Sequence, residues 1–384
     1  MQRVETVSLR TKDKAMQLKP ISLGRAVAVC FLLVVLFRVI AFGITGILNL
    51  IPELALPNRI IAVINDLHYL IAIPVGIGVY VWLRGREEES FFIETILNLL
   101  RKRAGVIGLL ILAFLLILAD FAPVIATHDP IQPLFGQPGE VPPLPRKPPC
   151  IHLLGCTEEV QHYMGIDLNA RDEFSRVVYA AQTSLVVGTS SVLVAIVVGT
   201  LLGLVAGYAG GWVDNIIMRI MDVMLAFPGL LLAITIVTIR GPGLENALLA
   251  IAIVSIPAYA RVTRASVLSI KEQEFITAER CIGAEPWRIL FVHILPHALT
   301  PLIVQGTLGI GSAVLEAAAL SFVGLGAQPP TPEWGAMLSE ARAYVFTSPH
   351  LVFFPGFFIA LTVLAFNLLG DGLRDALDPR LNRS

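Results

Sequence analysis

The sequence predicts an all-α polytopic membrane helix bundle of about eight spans. Three observations carry that prediction. Of 384 residues, 55% are hydrophobic and 15% charged, whereas a soluble domain is roughly a quarter charged. Mean hydropathy is +0.76. Residues 177–213, 289–315 and 343–370 contain no Asp, Glu, Lys or Arg. The 28 basic residues nearly cancel the 29 acidic ones, a net charge of −1, so no global field favours nucleic acid as a partner.

A helix needs about twenty apolar residues to cross the bilayer core. In chain order the first two spans fall near 26–50 and 60–83. Arg38 interrupts the first and is expected to snorkel or to pair with Asp66 or Asp120. Six more follow near 104–125, 184–206, 220–239, 246–263, 298–322 and 350–370. With the N-terminus inside and eight crossings, 20 of the 28 basic residues lie inside, seven outside and Arg38 in the membrane. That is the bias the positive-inside rule demands, and it places both termini in the cytoplasm. An odd number of upstream spans would spoil it. Residues 1–25 read as a cytoplasmic tail before a retained helix, because no small-residue cleavage site follows.

The outside connection, 126–183, is rich in proline. Nine of the chain's 25 prolines lie between Pro123 and Pro149, which predicts extended backbone. Cys150 and Cys156 share this loop, and an oxidising exterior would join them. His152 and His162 lie nearby, but the spacing matches no standard zinc pattern, so no metal site is predicted. From Arg171 to Ser184, Phe174, Val177, Val178 and Ala181 recur at i, i+3, i+4, i+7. This is an amphipathic helix, lying in the membrane interface or packed on the bundle.

The inside connection, 264–297, reads as helix, sharp turn, short helix. Gly283 breaks the first helix and Pro286 suits the first turn of the second. Ala284, Trp287, Leu290 and Phe291 give the second piece an apolar side. A stiff hairpin of this kind suits docking better than a bland loop does. Cys30 and Cys281 read as packing residues. Within the spans, Pro228, Pro257 and Pro301, with Gly306, Gly309 and Gly311, either open helices toward a cavity or reflect the frequency of both residues in membrane helices. Glu316 is an acid inside an apolar span, where acids are costly and often functional. It would face the cavity or a partner subunit. Pro228, Pro257 and Glu316 are the candidate translocation path.

The inside loop resembles the "EAA" loop of permease subunits of binding-protein-dependent ABC importers. Thr277-Ala278-Glu279 align with the triad, Gly283 with its glycine, and Ile294-Leu295-Pro296 with its end. Thr277 stands where the family usually has Glu. Four further segments are similar to the C-type permease of the dipeptide, oligopeptide and nickel branch. They are Gly165-Ile-Asp167 through Arg171-Asp172, Ser175-Arg176, Tyr179 and Ser184-Leu185; Arg219-Ile-Met-Asp222 with Ala226-Phe227-Pro228; Leu320 to Gly326 with Pro332-Glu-Trp334-Gly335; and Asn367 to Arg380. Ala170, Ala180 and Gln182 replace an expected Gly, Gly and Arg. The resemblance spans roughly 101–381. It divides the chain into residues 1–100, a tail with two added spans, and 101–384, a six-span permease core. Residues 156–165 read as a local insertion.

The resemblance implies an importer of di- or oligopeptides, with nickel or another small solute as the alternative cargo. No Gly-x-x-x-x-Gly-Lys-Ser/Thr loop is present, so the chain is expected not to be an enzyme and to hold no cofactor of its own. ATP and Mg would be bound by two cytoplasmic partner subunits. A second permease subunit, an external substrate-binding protein and membrane lipid complete the expected partners, with no nucleic acid. Thr277, Ala278, Glu279, Gly283, Ala284, Pro286, Trp287 and Pro296 would form the ATPase-coupling loop. Gly283 would permit the turn, Trp287 would anchor, and Pro296 would mark the return to a span. A self-sufficient secondary transporter should show inverted repeats and several charged spans, and an intramembrane enzyme a nucleophile–base pair or metal ligands. Neither pattern is visible in the sequence.

Overall fold

The computed structural model describes residues 91–134, 144–156 and 161–377, together with 34–47 apart from 37, 45. The span expected near 60–83 and residue Cys30 lie outside the described residues. Ten helices organise the main body. They are α1 (Phe91–Arg101), α2 (Arg103–Asp120), α3 (Glu173–Ala209), α4 (Gly211–Leu225), α5 (Gly229–Arg240), α6 (Leu244–Ile270), α7 (Glu274–Cys281), α8 (Pro286–Phe322), α9 (Trp334–Ala341) and α10 (His350–Leu377). Five of them, α2, α3, α6, α8 and α10, are long and apolar enough to cross a membrane. The pair α4 and α5 makes a sixth if counted as one bent span.

That pair corrects the straight span expected at 220–239. The axes of α4 and α5 meet at 91°. Pro228 sits at the break with extended backbone, φ −57° and ψ 125°. A proline has no N–H to continue the ladder and drives the residue before it from the helical region. The amphipathic stretch at 171–184 is not a separate interfacial helix either. It is the first part of α3, which runs unbroken for 37 residues, about 55 Å at 1.5 Å per residue. Its charged side chains do not face water: Glu173 and Arg176 are buried.

Close packing in the bundle depends on small residues, because lipid tails give helices no hydrophobic reason to associate and contact must come from backbone approach. On α3, a Cβ at Gly203 would collide with the Ala260 carbonyl and the Thr263 side chain of α6. The same holds on the opposite flank, where Gly105 of α2 rests on Gly372 of α10. Gly306, Gly309 and Gly311 of α8 face the Ile196, Tyr259 and Phe366 side chains. They are packing positions against α3, α6 and α10. Apolar residues left exposed, such as Leu110, Phe114 and Ile117 of α2, suit contact with acyl chains.

Where α3 begins, buried charge ties the chain to itself. Arg171 Nε donates to Asp167 Oδ2 at 2.6 Å and Nη2 to Glu340 Oε2 of α9 at 3.0 Å. Arg176 lies 3.4 Å from Asp167 Oδ2 and donates to the Pro130 carbonyl at 3.2 Å. Trp334, fully buried, donates its indole N–H to the Val177 carbonyl at 3.0 Å. Glu333 caps α9 by accepting from the Ala336 N–H at 2.8 Å. Burial pushes its carboxyl above the usual range, against the hydrogen bonds that favour the charge. Cys150 and Cys156 form a disulfide. Arg38, in the helical stretch Val34–Ile44, pairs with Asp120, Nε to Oδ2 at 2.7 Å with a second contact to Oδ1.

Candidate functional site: an apolar hairpin at residues 271–297

At the other end of α3, the chain leaves α6 at Ile270 and folds α7 back toward α8. Lys271 donates its ammonium to the Gly207 carbonyl at 3.1 Å, fixing the exit to the end of α3. Helix α7 stops at a Schellman motif. The Ala284 N–H donates to the Glu279 carbonyl at 3.0 Å and the Gly283 N–H to the Arg280 carbonyl at 3.1 Å. This closure requires a left-handed residue, and Gly283 has φ +81°. A Cβ there would meet nothing within 4 Å, so the demand for glycine comes from the backbone alone. Pro286 then opens α8 at its first position, where its missing N–H costs nothing.

The expected short second helix is a correction. The chain does not stop before Pro296 but runs straight from Pro286 to Phe322. The turn Ile289–Ile294 widens into a π-helix. Pro296 removes a donor from the ladder, and a wide turn beside it re-spaces the bonds.

One side of the hairpin is buried. Ile276, Ile289, Leu290 and Ile294 pack with Leu204 of α3 and Val267 of α6. The other side is bare. Trp287 is 66% exposed and stacks on Phe291 with ring centroids 5.6 Å apart. Ile282 is 79% exposed and Val292 57%. The apolar side expected from Ala284, Trp287, Leu290 and Phe291 is therefore split. Trp287 and Phe291, four residues apart, share the outer face, while Leu290 turns into the core. Thr277 and Ala278 are exposed, and Glu279 lies half-buried with its carboxylate 3.6 Å from His293. Cys281, expected to pack, is an exposed free thiol. An apolar patch on a rigid, hydrogen-bonded platform is the signature of a binding surface.

The family described as binding-protein-dependent transport system inner membrane component matches residues 199–383. The N-terminal TM domain of oligopeptide transport permease C matches residues 90–149. The chain is 49% identical over 288 residues to a dipeptide transport system permease protein of Alkalihalophilus pseudofirmus, covering 75% of this chain and 90% of that protein. A di/tripeptide transport system permease protein of Pseudomonas aeruginosa is 47% identical, over 72% of this chain and 88% of its own length. A glutathione transport system permease protein of Pectobacterium atrosepticum is 54% identical, over 57% and 73%. The chain belongs to the permease subunits of binding-protein-dependent ABC importers, in their dipeptide-type C branch. As such it is a multi-pass protein of the cell membrane and not itself an enzyme.

In this permease the sequence-derived coupling residues Thr277, Ala278, Glu279, Gly283, Ala284, Pro286 and Trp287 gather on one hairpin, and Pro296 lies within the helix that continues it. The candidate path residues are not gathered in the same way. Pro228 is exposed at the α4–α5 bend, Pro257 is buried in α6, and Glu316 is half-buried on α8. Sequence reading missed two features of the permease. Ile282 is the most exposed apolar residue of the hairpin, and its position beside the positive-φ glycine was the available signal. The ion-pair knot of Asp167, Arg171, Arg176 and Glu340 had no local signal, since Glu340 is 169 residues from Arg171.

Proposed function

We propose that this permease is one membrane half of an ATP-driven importer of di- or oligopeptides. Its hairpin 271–297 seats in a cytoplasmic ATP-binding subunit. The complete importer holds a second permease subunit, two ATP-binding subunits that carry ATP and Mg, and an external substrate-binding protein. The topology is that of the charge bias, with eight crossings and both termini cytoplasmic. Relatives named for dipeptides, di/tripeptides and glutathione favour peptide cargo over nickel.

The observation that carries the coupling role is the exposed Trp287–Phe291 stack on a hairpin fixed to the ends of α3, α6 and α8. A large aromatic set on a rigid base is a typical interface anchor. When the ATP-binding dimer closes, a hairpin held this firmly moves with the spans rather than flexing, and the bundle changes access.

Gly283→Val tests the reading. Valine fits the open space but resists φ +81°, at a cost of about 1–2 kcal/mol. In proteoliposomes containing the whole importer and its binding protein, the variant is expected to hydrolyse ATP while peptide uptake falls several-fold. Unchanged uptake would refute the coupling role.

A further inference from the structure

We propose that His128, His162 and Asp172 bind one divalent transition-metal ion of the zinc class at the end of the bundle where α3 begins. The three residues come from three segments: the chain after α2, the residue bridged to Cys150, and the cap of α3. One ligand atom from each lies within 4.8 Å of the other two. Asp172 Oδ1 is 3.1 Å from His162 Nδ1 and 3.9 Å from His128 Nδ1. The two imidazoles lie against each other, centroids 5.5 Å apart and tilted by 35°.

Tetrahedral zinc with bonds of about 2.0–2.1 Å separates its ligands by about 3.3 Å. The Asp172–His162 edge already has that spacing. The His128 ring closes by on the order of 1 Å to complete it, giving up its 2.9 Å contact with Thr127 Oγ1.

The surroundings hold the ligands in place. Asp172 Oδ2 is consumed by the Ser175 N–H at 2.8 Å, Ser175 Oγ at 2.7 Å and Thr127 Oγ1 at 3.2 Å. That leaves Oδ1 facing the imidazoles. His162 is pinned through its backbone, donating to the Cys150 carbonyl at 3.0 Å and accepting from the Cys150 N–H at 2.9 Å. The disulfide to Cys156 steadies that bridge in turn and withdraws both sulfurs from competition as ligands. The His128 N–H donates to Ser175 Oγ at 3.0 Å. Outer contacts of this kind orient metal ligands and raise their affinity.

The chemistry of the set selects the ion. Two imidazoles and one carboxylate suit zinc and its neighbours; calcium and magnesium prefer all-oxygen shells. Asp172 and His162 are buried, and the His128 side chain is 23% exposed, which leaves an entry and a fourth position for water. The bound ion would rivet the proline-rich connection to the start of α3, through a ligand set other than the Cys150, His152, Cys156 and His162 cluster considered from the sequence.

The test uses the whole importer, purified through chelator, desalted, equilibrated with excess Zn²⁺ and desalted again. Metal is counted by mass spectrometry. One zinc per copy of this chain is expected, with at least a tenfold loss of affinity in His128→Gln and in His162→Gln. Zinc-edge X-ray absorption should show nitrogen and oxygen only, with no sulfur. Zinc should raise the melting temperature of the wild type and leave that of His128→Gln unchanged, the two melting alike without metal. Should His162→Gln fail to fold, His128→Gln decides alone, since that ring is the most peripheral of the three. Wild-type importer that retains no zinc, or His128→Gln that retains all of it, overturns the proposal and leaves an ordinary His–Asp hydrogen bond.

Discussion

The two ends of α3 are held by opposite means. At its start, buried charged side chains are paired within the chain: Arg171 and Arg176 answer Asp167 and Glu340. At its end, a hairpin is glued by apolar packing and leaves Ile282, Trp287 and Phe291 bare. A region whose buried charges are paired within the chain draws its electrostatic support from the chain itself. A region that exposes large apolar side chains on a rigid base pays a solvation cost that only a partner removes. Internal ion pairing and a bare apolar face thus sit at different ends of one helix.

The contrast can be tested by substitution at each end. Arg176→Met leaves Asp167 with one fewer cation in a buried setting. Breaking a buried pair from one side costs about 3–5 kcal/mol. Loss of most folded protein is expected on detergent size-exclusion chromatography, and a normal melting curve would show the knot to be dispensable. Trp287→Ala should do the reverse. Its melting temperature stays at the wild-type value, while affinity for the ATP-binding subunit drops by about 2 kcal/mol, about 30-fold. Binding titrations measure this, and equal affinity would remove Trp287 as the anchor.

Ala170→Gly should produce a smaller effect of opposite sign, a gain in stability. Ala170 sits at φ +56° in the buried turn before α3, where glycine relaxes the backbone. The left-handed penalty of about 1–2 kcal/mol is partly offset by glycine's greater freedom when unfolded. A net stabilisation of up to about 1 kcal/mol is expected by chemical denaturation. The smallest effect is a pH dependence. Burial raises the Glu333 carboxyl above its ordinary value of 4.5. A raised carboxyl favours folding fully below that value, and the advantage is lost as pH climbs through the folded-state value. Wild-type protein should therefore lose melting temperature relative to Glu333→Gln as pH rises from 5 to 8. Parallel pH profiles would contradict it.

These substitutions also mark what was legible in the sequence. The hairpin turn was readable because Gly283 and Pro286 act through their own backbones, and those constraints are local. The helical bundle was readable because a bilayer forces every backbone polar group into internal bonds. The bend at Pro228 was misplaced inside a straight span, since apolar composition is the same for one helix or two. The buried pairing of the charges at 171–176 was not legible because their partner Glu340 lies far along the chain. The departure at Ala170 was noticed as a substitution, but its left-handed backbone is visible only in the fold.

The wide turn at Ile289–Ile294 has a consequence for phase. An α-helix advances about 100° per residue, so the number of residues in that turn sets the angle between the Trp287–Phe291 face and everything beyond Leu295. Deleting a single residue there would leave composition, length and apolar character almost unchanged. It would also swing the outer aromatic face by about a quarter turn relative to the lipid-facing surface of α8. The π-turn is therefore an index mark: it records, in one residue of surplus, the compass bearing of the bare aromatic face relative to the rest of α8.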